Sequence, residues 1–298
     1  MLEAQISQAA ELIQRGRLVA FPTETVYGLG ANALDAEAVA RIYEAKGRPF
    51  SSPLIVHVYD VEMARAIVSE WPAIAENLAR RFWPGPLTLI LRKASLIPDI
   101  VTAGLPSVGI RVPSHPIALE LIRHAGVPIA APSANRFTEI SPTTAEHVRG
   151  SLGDRVDLIL DGGPCPVGIE STVVSLVRNP PEVLRPGMIS KEELEAVTGL
   201  SWRQGNIDSP KVMESPGLHP RHYAPRTPLY VLEPGMKTPE GRGRILQMPE
   251  TPADYASVLY ARLREADSEG WDWIAVEKPP ETPQWAGILD RLKRASAN

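Results

Sequence analysis

The chain has 298 residues, enough for one large domain or two ordinary ones, and its 44% apolar and 22% charged residues are the balance of a folded globular protein rather than a disordered one. A formal net charge of −4, from 31 basic and 35 acidic residues, excludes a global positive field that would draw the chain to nucleic acid or an anionic membrane. The single cysteine, Cys165, excludes an intrachain disulfide framework and every multi-cysteine zinc site, and it fits a reducing compartment.

Residues 1–16 carry Glu3 and Glu11 and no continuous apolar run, so they do not read as a signal peptide. No later apolar run nears the ~20 residues of a membrane span, and a cytoplasmic location is expected. Leu2, Ile6, Ala10 and Ile13 recur at helical spacing up to Gly16, which predicts a helix over 2–15. A short strand, Leu18 to Phe21, leads into the loop-like segment PTETVYGLGANA, and Asp35 then caps a helix carrying Ala38, Val39, Ile42 and Tyr43 on one face and ending near Lys46 and Gly47. Apolar runs at 53–58, 87–91, 108–112, 127–131, 156–160, 171–177 and 182–184 read as strands buried on both faces. Residues 115–126 are helical, and Thr143 with Glu146 and Ser190 with Glu193 have capping-box spacing. Pro, at 30 residues, is about twice as frequent as average, which implies many fixed turns. Residues 206–225 are rich in Pro and polar residues and follow neither hydrophobic period, which marks a linker. A smaller unit begins at Arg226, with short strands over 228–232, 244–248 and 271–277 and helices over 255–265 and 284–295. The expected organisation is therefore α/β: a domain over 1–205, a linker over 206–225 and a small domain over 226–298.

Several reaction signatures are missing: no Walker A sequence, no G-x-S-x-G elbow, no H-E-x-x-H and no C-x-x-C. Only His219 and His222 are spaced to share a metal, and they sit in a polar linker beside Arg221. Gly28 to Ala33 matches G-x-G-x-x-A formally, but Pro22 to Tyr27 separate it from the strand, and Asp60 lies too far beyond it for a ribose-binding acid. Thr23, Glu24, Thr25 and Tyr27 offer hydroxyls and a carboxylate at a strand exit, either to a small ligand or to the next helix as caps. Lys46 and Arg48, followed by Ser51 and Ser52, are spaced either to clamp an anion or to complement the helix dipole. Arg111 and Arg185 lie on apolar strands, where a guanidinium is costly unless an acid such as Glu24 or Glu170, or an anionic ligand, meets it. Ser133, Asn135 and Ser141, and Glu170, Ser171 and Thr172, stand at further strand exits, where they suit phosphate or ribose oxygens and equally form turns. Strand ends are where α/β sheets bind ligands, and the sum of these residues indicates an anionic one.

In chain order, PTETVYGLGANA, EAKGRPFSSPLIVHV, PGPLTLIL, VGIRVPSHP, APSAN, GIESTVV and LRPG resemble the YrdC-like family. The linker SPGLHPRHYAP and the small unit after it resemble the long-form threonylcarbamoyl-AMP synthases, although Leu218, His219 and Pro220 depart from the linker pattern of that group. The resemblance implies an open twisted mixed sheet with flanking helices around a deep cationic cavity, linked to a smaller C-terminal α/β domain. It implies conversion of L-threonine, bicarbonate and ATP to threonylcarbamoyl-AMP, pyrophosphate and water. The product would then be used by a separate tRNA threonylcarbamoyl transferase complex. Mg2+ would accompany ATP, with no metal held by protein ligands. Carried onto this chain, Thr25, His57, Arg111, Ala131 and Ser171 would form the threonine pocket, with the Arg111 fork on the amino-acid carboxylate. Lys46, Arg48, Ser52, Ser107, Ser133, Asn135, Ser141 and Arg185 would hold ATP, and His222 and Tyr223 would close over it as a lid. Lys46, Arg48 and His57 are the expected catalytic side chains, His57 as the candidate base by its type alone. The alternative is a YrdC-like RNA-binding module without catalysis, against which stands the acidic excess within residues 1–205. A relative that uses carbamoyl phosphate would carry zinc fingers, for which one cysteine leaves no room.

Overall fold

Helix α1 (Leu2–Gln14) buries the stripe Ile6, Ala9, Ala10 and Ile13, and Gly16 turns the chain at φ 70° into strand β1 (Val19–Phe21). The structure, a computed structural model, describes residues 2–205 and 222–296. Its first departure from the sequence reading follows directly. The segment expected as a loop folds back as β2 (Gly28–Asn32), antiparallel to β1 with Val19 opposite Gly30. A Cβ at Gly30 would stand 2.7 Å from Phe21 Cε1 and 2.8 Å from Ile129 Cγ2, so the glycine is there for close packing on the sheet. A dinucleotide turn requires a strand passing into a helix at this point, and the antiparallel pairing removes it.

Helix α2 (Ala36–Lys46) starts where Asp35 accepts the N–H groups of Glu37 and Ala38, and it stops at Gly47 in the left-handed region. The chain continues through β3 (Ile55–His57), α3 (Val61–Ala66), α4 (Ala73–Phe82), β4 (Leu87–Arg92), α5 (Asp99–Thr102), β5 (Ser107–Arg111), α6 (Pro116–Ala125) and β6 (Ile129–Ala130). It then forms α7 (Ala145–Leu152), β7 (Leu158–Ile159), β8 (Thr172–Ser175), β9 (Glu182–Arg185), α8 (Lys191–Thr198) and β10 (Arg203–Gln204). The cap of α7 is Thr144 rather than Thr143: the Thr144 hydroxyl accepts the His147 N–H at 3.3 Å, while the Thr143 amide donates to His147 Nδ1. The Ser190–Glu193 capping box of α8 is complete.

These ten strands make one mixed sheet in the order β10-β9-β8-β4-β5-β3-β6-β2-β1-β7. The predicted strand at β7 is an edge and only half-buried. Alternation along each strand divides the residues between two faces. Val56, Leu89, Ile110 and Val174 enter the main core. The opposite face carries Val19, Phe21 and Ile129 under α1 and α6, and Ile55, Ile90, Val173 and Leu184 as a smaller apolar cluster.

Strands β11 (Leu229–Leu232), β12 (Gly243–Leu246) and β13 (Trp273–Glu277), with helices α9 (Pro252–Ser268) and α10 (Ala286–Ala295), form a second unit. Its parallel sheet has the order β11-β13-β12, and Leu259, Leu263, Ile274, Ile288 and Leu292 are in its core. Two close approaches dock it against the large sheet domain. A Cβ at Gly168 would lie 2.3 Å from the Ala256 carbonyl of α9, and one at Gly287 of α10 would lie 2.6 Å from the Gly187 carbonyl. Of the expected linker, residues 206–221 lie outside the described residues. No helix among the described residues is long and apolar enough to cross a membrane.

Candidate active site

The exits of β1, β3, β5 and β6, the entry of β8 and the exit of β9 surround a cavity of about 520 Å³, counted with the solvent at its mouth. Thr25, His57, Arg111, Ala131 and Ser171 line it together with Arg48, Ser133, Arg185, His222 and Tyr223. Lys46, Ser52, Ser107, Asn135 and Ser141 do not line it. Four of these five stand behind the wall. Ser52 Oγ accepts Arg48 Nη2 at 2.6 Å, Ser141 Oγ donates to Glu170 Oε1 at 2.5 Å, and Lys46 Nζ donates to the main-chain carbonyls of Ser133 and Asn135. Ser107 lies at the far end of β5 from Arg111, opposite Arg92.

The cations are buried, and their environments differ. Arg48 is pushed down to about 10, first by burial, and its guanidinium lies 5.6 Å over the Phe137 ring. Burial, and next the Arg48 charge, lower Lys46 well below the ordinary lysine value. Among the described residues neither forms an ion pair. Arg185 donates to the Ser171 carbonyl and hydroxyl, each at 3.1 Å.

For Arg111 the structure shows the acid-paired alternative. Its Nε donates to the Gly85 carbonyl and its Nη1 to Thr25 Oγ1, while Nη2 lies 2.6 Å from Glu24 Oε1. That last contact is an ion pair whose N–H is not aimed at the oxygen, so among the described residues both atoms lack a hydrogen-bond partner. The fork is thus already balanced by a buried acid. Burial, and next the Arg111 charge, push His57 down to about 3. A base of that strength is poorly matched to proton abstraction near neutrality, so the imidazole suits hydrogen bonding; its Nδ1 has no partner among the described residues.

No group of three His, Cys, Asp or Glu side chains converges anywhere among the described residues. Glu24 and Glu170, the acids nearest the cavity, are each engaged by an arginine. The described residues therefore offer no donor set for a protein-held metal, and His219, spaced to share one with His222, lies outside them.

Sequence reasoning missed Val26, Gly28, Ile55 and Pro132 of the lining, which carry no chemical signature of their own. It also missed Tyr260 and Arg291, which reach the wall from the second unit and donate to Glu170 at 2.9 and 2.7 Å. A signal for Arg291 exists: Ile288, Leu292 and Ala295 mark the buried face of α10, and Arg291 lies on that face.

An open mixed sheet with a cationic hollow at its strand ends and a small parallel α/β unit docked beside it defines a two-domain YrdC-like protein. Residues 11–187 match the Sua5/YciO/YrdC family model, described as telomere recombination, and residues 189–297 match the model of the threonylcarbamoyl-AMP synthase C-terminal domain. The chain belongs to the Sua5/YciO/YrdC family, in the form that carries this C-terminal domain. It is 43% identical to the threonylcarbamoyl-AMP synthase of Bacillus subtilis over 328 residues, covering 99% of this chain and 93% of the relative. The crystal structure of Pyrococcus abyssi Sua5 complexed with L-threonine superposes with a TM-score of 0.93 at 40% identity, covering 99% of this chain and 94% of that one. Escherichia coli YciO matches the fold over 62% of this chain and 90% of its own, with a TM-score of 0.56 and 27% identity.

Proposed function

We propose that this chain condenses L-threonine, bicarbonate and ATP into threonylcarbamoyl-AMP, releasing pyrophosphate and water. The product would carry an activated carbamoyl group for transfer to tRNA by a separate complex. The observation that carries the reading is the whole-chain likeness to a threonine-bound relative, combined with a cavity that joins hydroxyls, a buried Arg111 and two further buried arginines.

In the proposed sequence the threonine amine adds to the bicarbonate carbon and water is lost, leaving an N-carboxylate. One of its oxygens attacks the α-phosphorus, and the bond to pyrophosphate breaks. No enzyme nucleophile enters, which agrees with the missing nucleophile signatures. Thr25 and Arg111 Nη2 would hold the amino acid, with His57 as a neutral hydrogen-bonding neighbour. Arg48 and Arg185 would neutralise phosphate oxygens from positions where low dielectric strengthens the interaction. Lys46 would fix the Ser133–Asn135 carbonyls that border the phosphates. Catalysis is then positioning and charge neutralisation. Magnesium enters as part of the nucleotide substrate, and no step is assigned to it.

The test is product identity. Pyrophosphate should appear only when threonine and bicarbonate are both supplied with ATP; ADP and orthophosphate instead would overturn the reading.

A further inference from the structure

Arg291 of α10 is fully buried, at 0% exposure, although it belongs to the small domain. Its guanidinium joins two separate segments of the cavity wall. Nε donates to Glu170 Oε2 at 2.7 Å, Nη2 to the Glu170 carbonyl at 3.2 Å and Nη1 to the Pro186 carbonyl at 2.9 Å. Glu170 precedes Ser171 and Pro186 follows Arg185, so one planar fork ties together the two strand ends that carry these lining residues. Asp290, itself bonded to Arg294, accepts Nη1 at 2.7 Å and holds the fork in place, and the Tyr223 ring lies 5.2 Å from it. Glu170 is saturated: Oε1 accepts Ser141, and Oε2 accepts Tyr260 OH as well as Arg291. Although burial disfavours its charge, the neighbouring arginines, Arg291 foremost, keep this carboxyl below the usual range. A bare carboxylate in a cavity for a triphosphate would repel its ligand.

We infer that Arg291, assisted by Tyr260, is a positioning residue of the nucleotide site supplied by the small domain: it masks the charge of Glu170 and holds the Arg185 strand end in place. This inference rests on the proposed function, because it takes the ligand beside Glu170 and Arg185 to be ATP. The second domain is accordingly a structural part of the ATP site.

The experiment is calorimetric titration of ATP and, separately, of threonine into the full chain and into Arg291→Lys, Arg291→Met, Tyr260→Phe and Arg291→Met/Glu170→Gln. All are measured below the melting midpoint of each variant. Arg291→Lys keeps the charge and loses the fork; it should weaken ATP at least about tenfold, the scale of a charge-assisted hydrogen bond, with threonine changed less than about threefold. Arg291→Met should be worse, and removing the unmasked charge in Arg291→Met/Glu170→Gln should recover part of that loss. Tyr260→Phe deletes one bond, and its smaller ATP-selective loss tests the inference even if Arg291→Met does not fold. A wild-type chain that binds no ATP would remove the functional reading itself. Wild-type ATP binding with Arg291→Lys and Tyr260→Phe unchanged, or with ATP and threonine weakened alike, would overturn this inference alone.

Discussion

Burial, more than acid partners, sets the character of Arg48 and of Lys46 behind it: among the described residues both donate to carbonyl and hydroxyl acceptors alone, and Arg48, which lines the cavity, gains when an anion arrives. Arg111 is different, because Glu24 already balances it; under the proposed function its Nη2 would serve the ligand. Arg111→Ala should raise the threonine KM by about ten- to a hundredfold, the range for a lost hydrogen bond to a charged group. Lys46→Ala, by freeing the Ser133–Asn135 loop, should lower kcat; steady-state pyrophosphate release measures both. His57 supplies a pH prediction. Its folded pKa of about 3 is below the ordinary 6.5, so the unfolded chain takes up the proton first. Its contribution to stability is complete above pH ~6.5 and is lost as pH falls toward 3, at up to about 1.4 kcal/mol per pH unit. Urea unfolding at pH 7 and pH 5 should therefore show a stability loss that His57→Gln reduces by about 2 kcal/mol; an unchanged loss would contradict a neutral buried imidazole.

At the scale of elements, the hairpin of β1 and β2 places Thr23, Thr25 and Gly28 on the cavity wall, and it depends on the absent side chain at Gly30. Gly30→Ala would force a methyl against Phe21 and Ile129. It should cost about 1–3 kcal/mol, as overpacking does, and reduce activity by shifting the hairpin. Ser190→Ala is the contrasting change. It removes a capping box on α8, outside the cavity lining, and should cost about 1 kcal/mol with kcat and KM unchanged. Thermal melts and kinetics on the two variants separate a hairpin that shapes the site from a helix that only supports the domain.

For the whole molecule, the interface between the two units is built on a buried charge network and on glycines that admit backbone contact. Breaking one partner of such a network costs about 3–5 kcal/mol, which is enough to make the units unfold together. Scanning calorimetry should show one transition for the wild type. Gly287→Val, whose added carbon would meet the Gly187 carbonyl, should separate it into two. A single unshifted transition in that variant would mean that the docking contributes little.

Local pattern alone determined α1, α2 and α6, buried strands such as β4, β5 and β8, and the Ser190 cap, because periodicity and end signals act within a few residues. Ordered motifs identified the family; Arg111 and Arg185 stood out because charges in apolar strand contexts are visible in one dimension, and Arg48 because it follows a helix end beside Lys46, Ser51 and Ser52. What Gly28 to Asn32 became was decided by tertiary pairing, because a glycine-rich run is silent on whether it turns or packs until Phe21 and Ile129 close over it. Only the fold could show that Glu24 balances Arg111 and that Arg291 reaches Glu170 across the domain boundary. Those pairings join residues far apart in the chain, and burial, which sets their strength, exists only once the chain has folded.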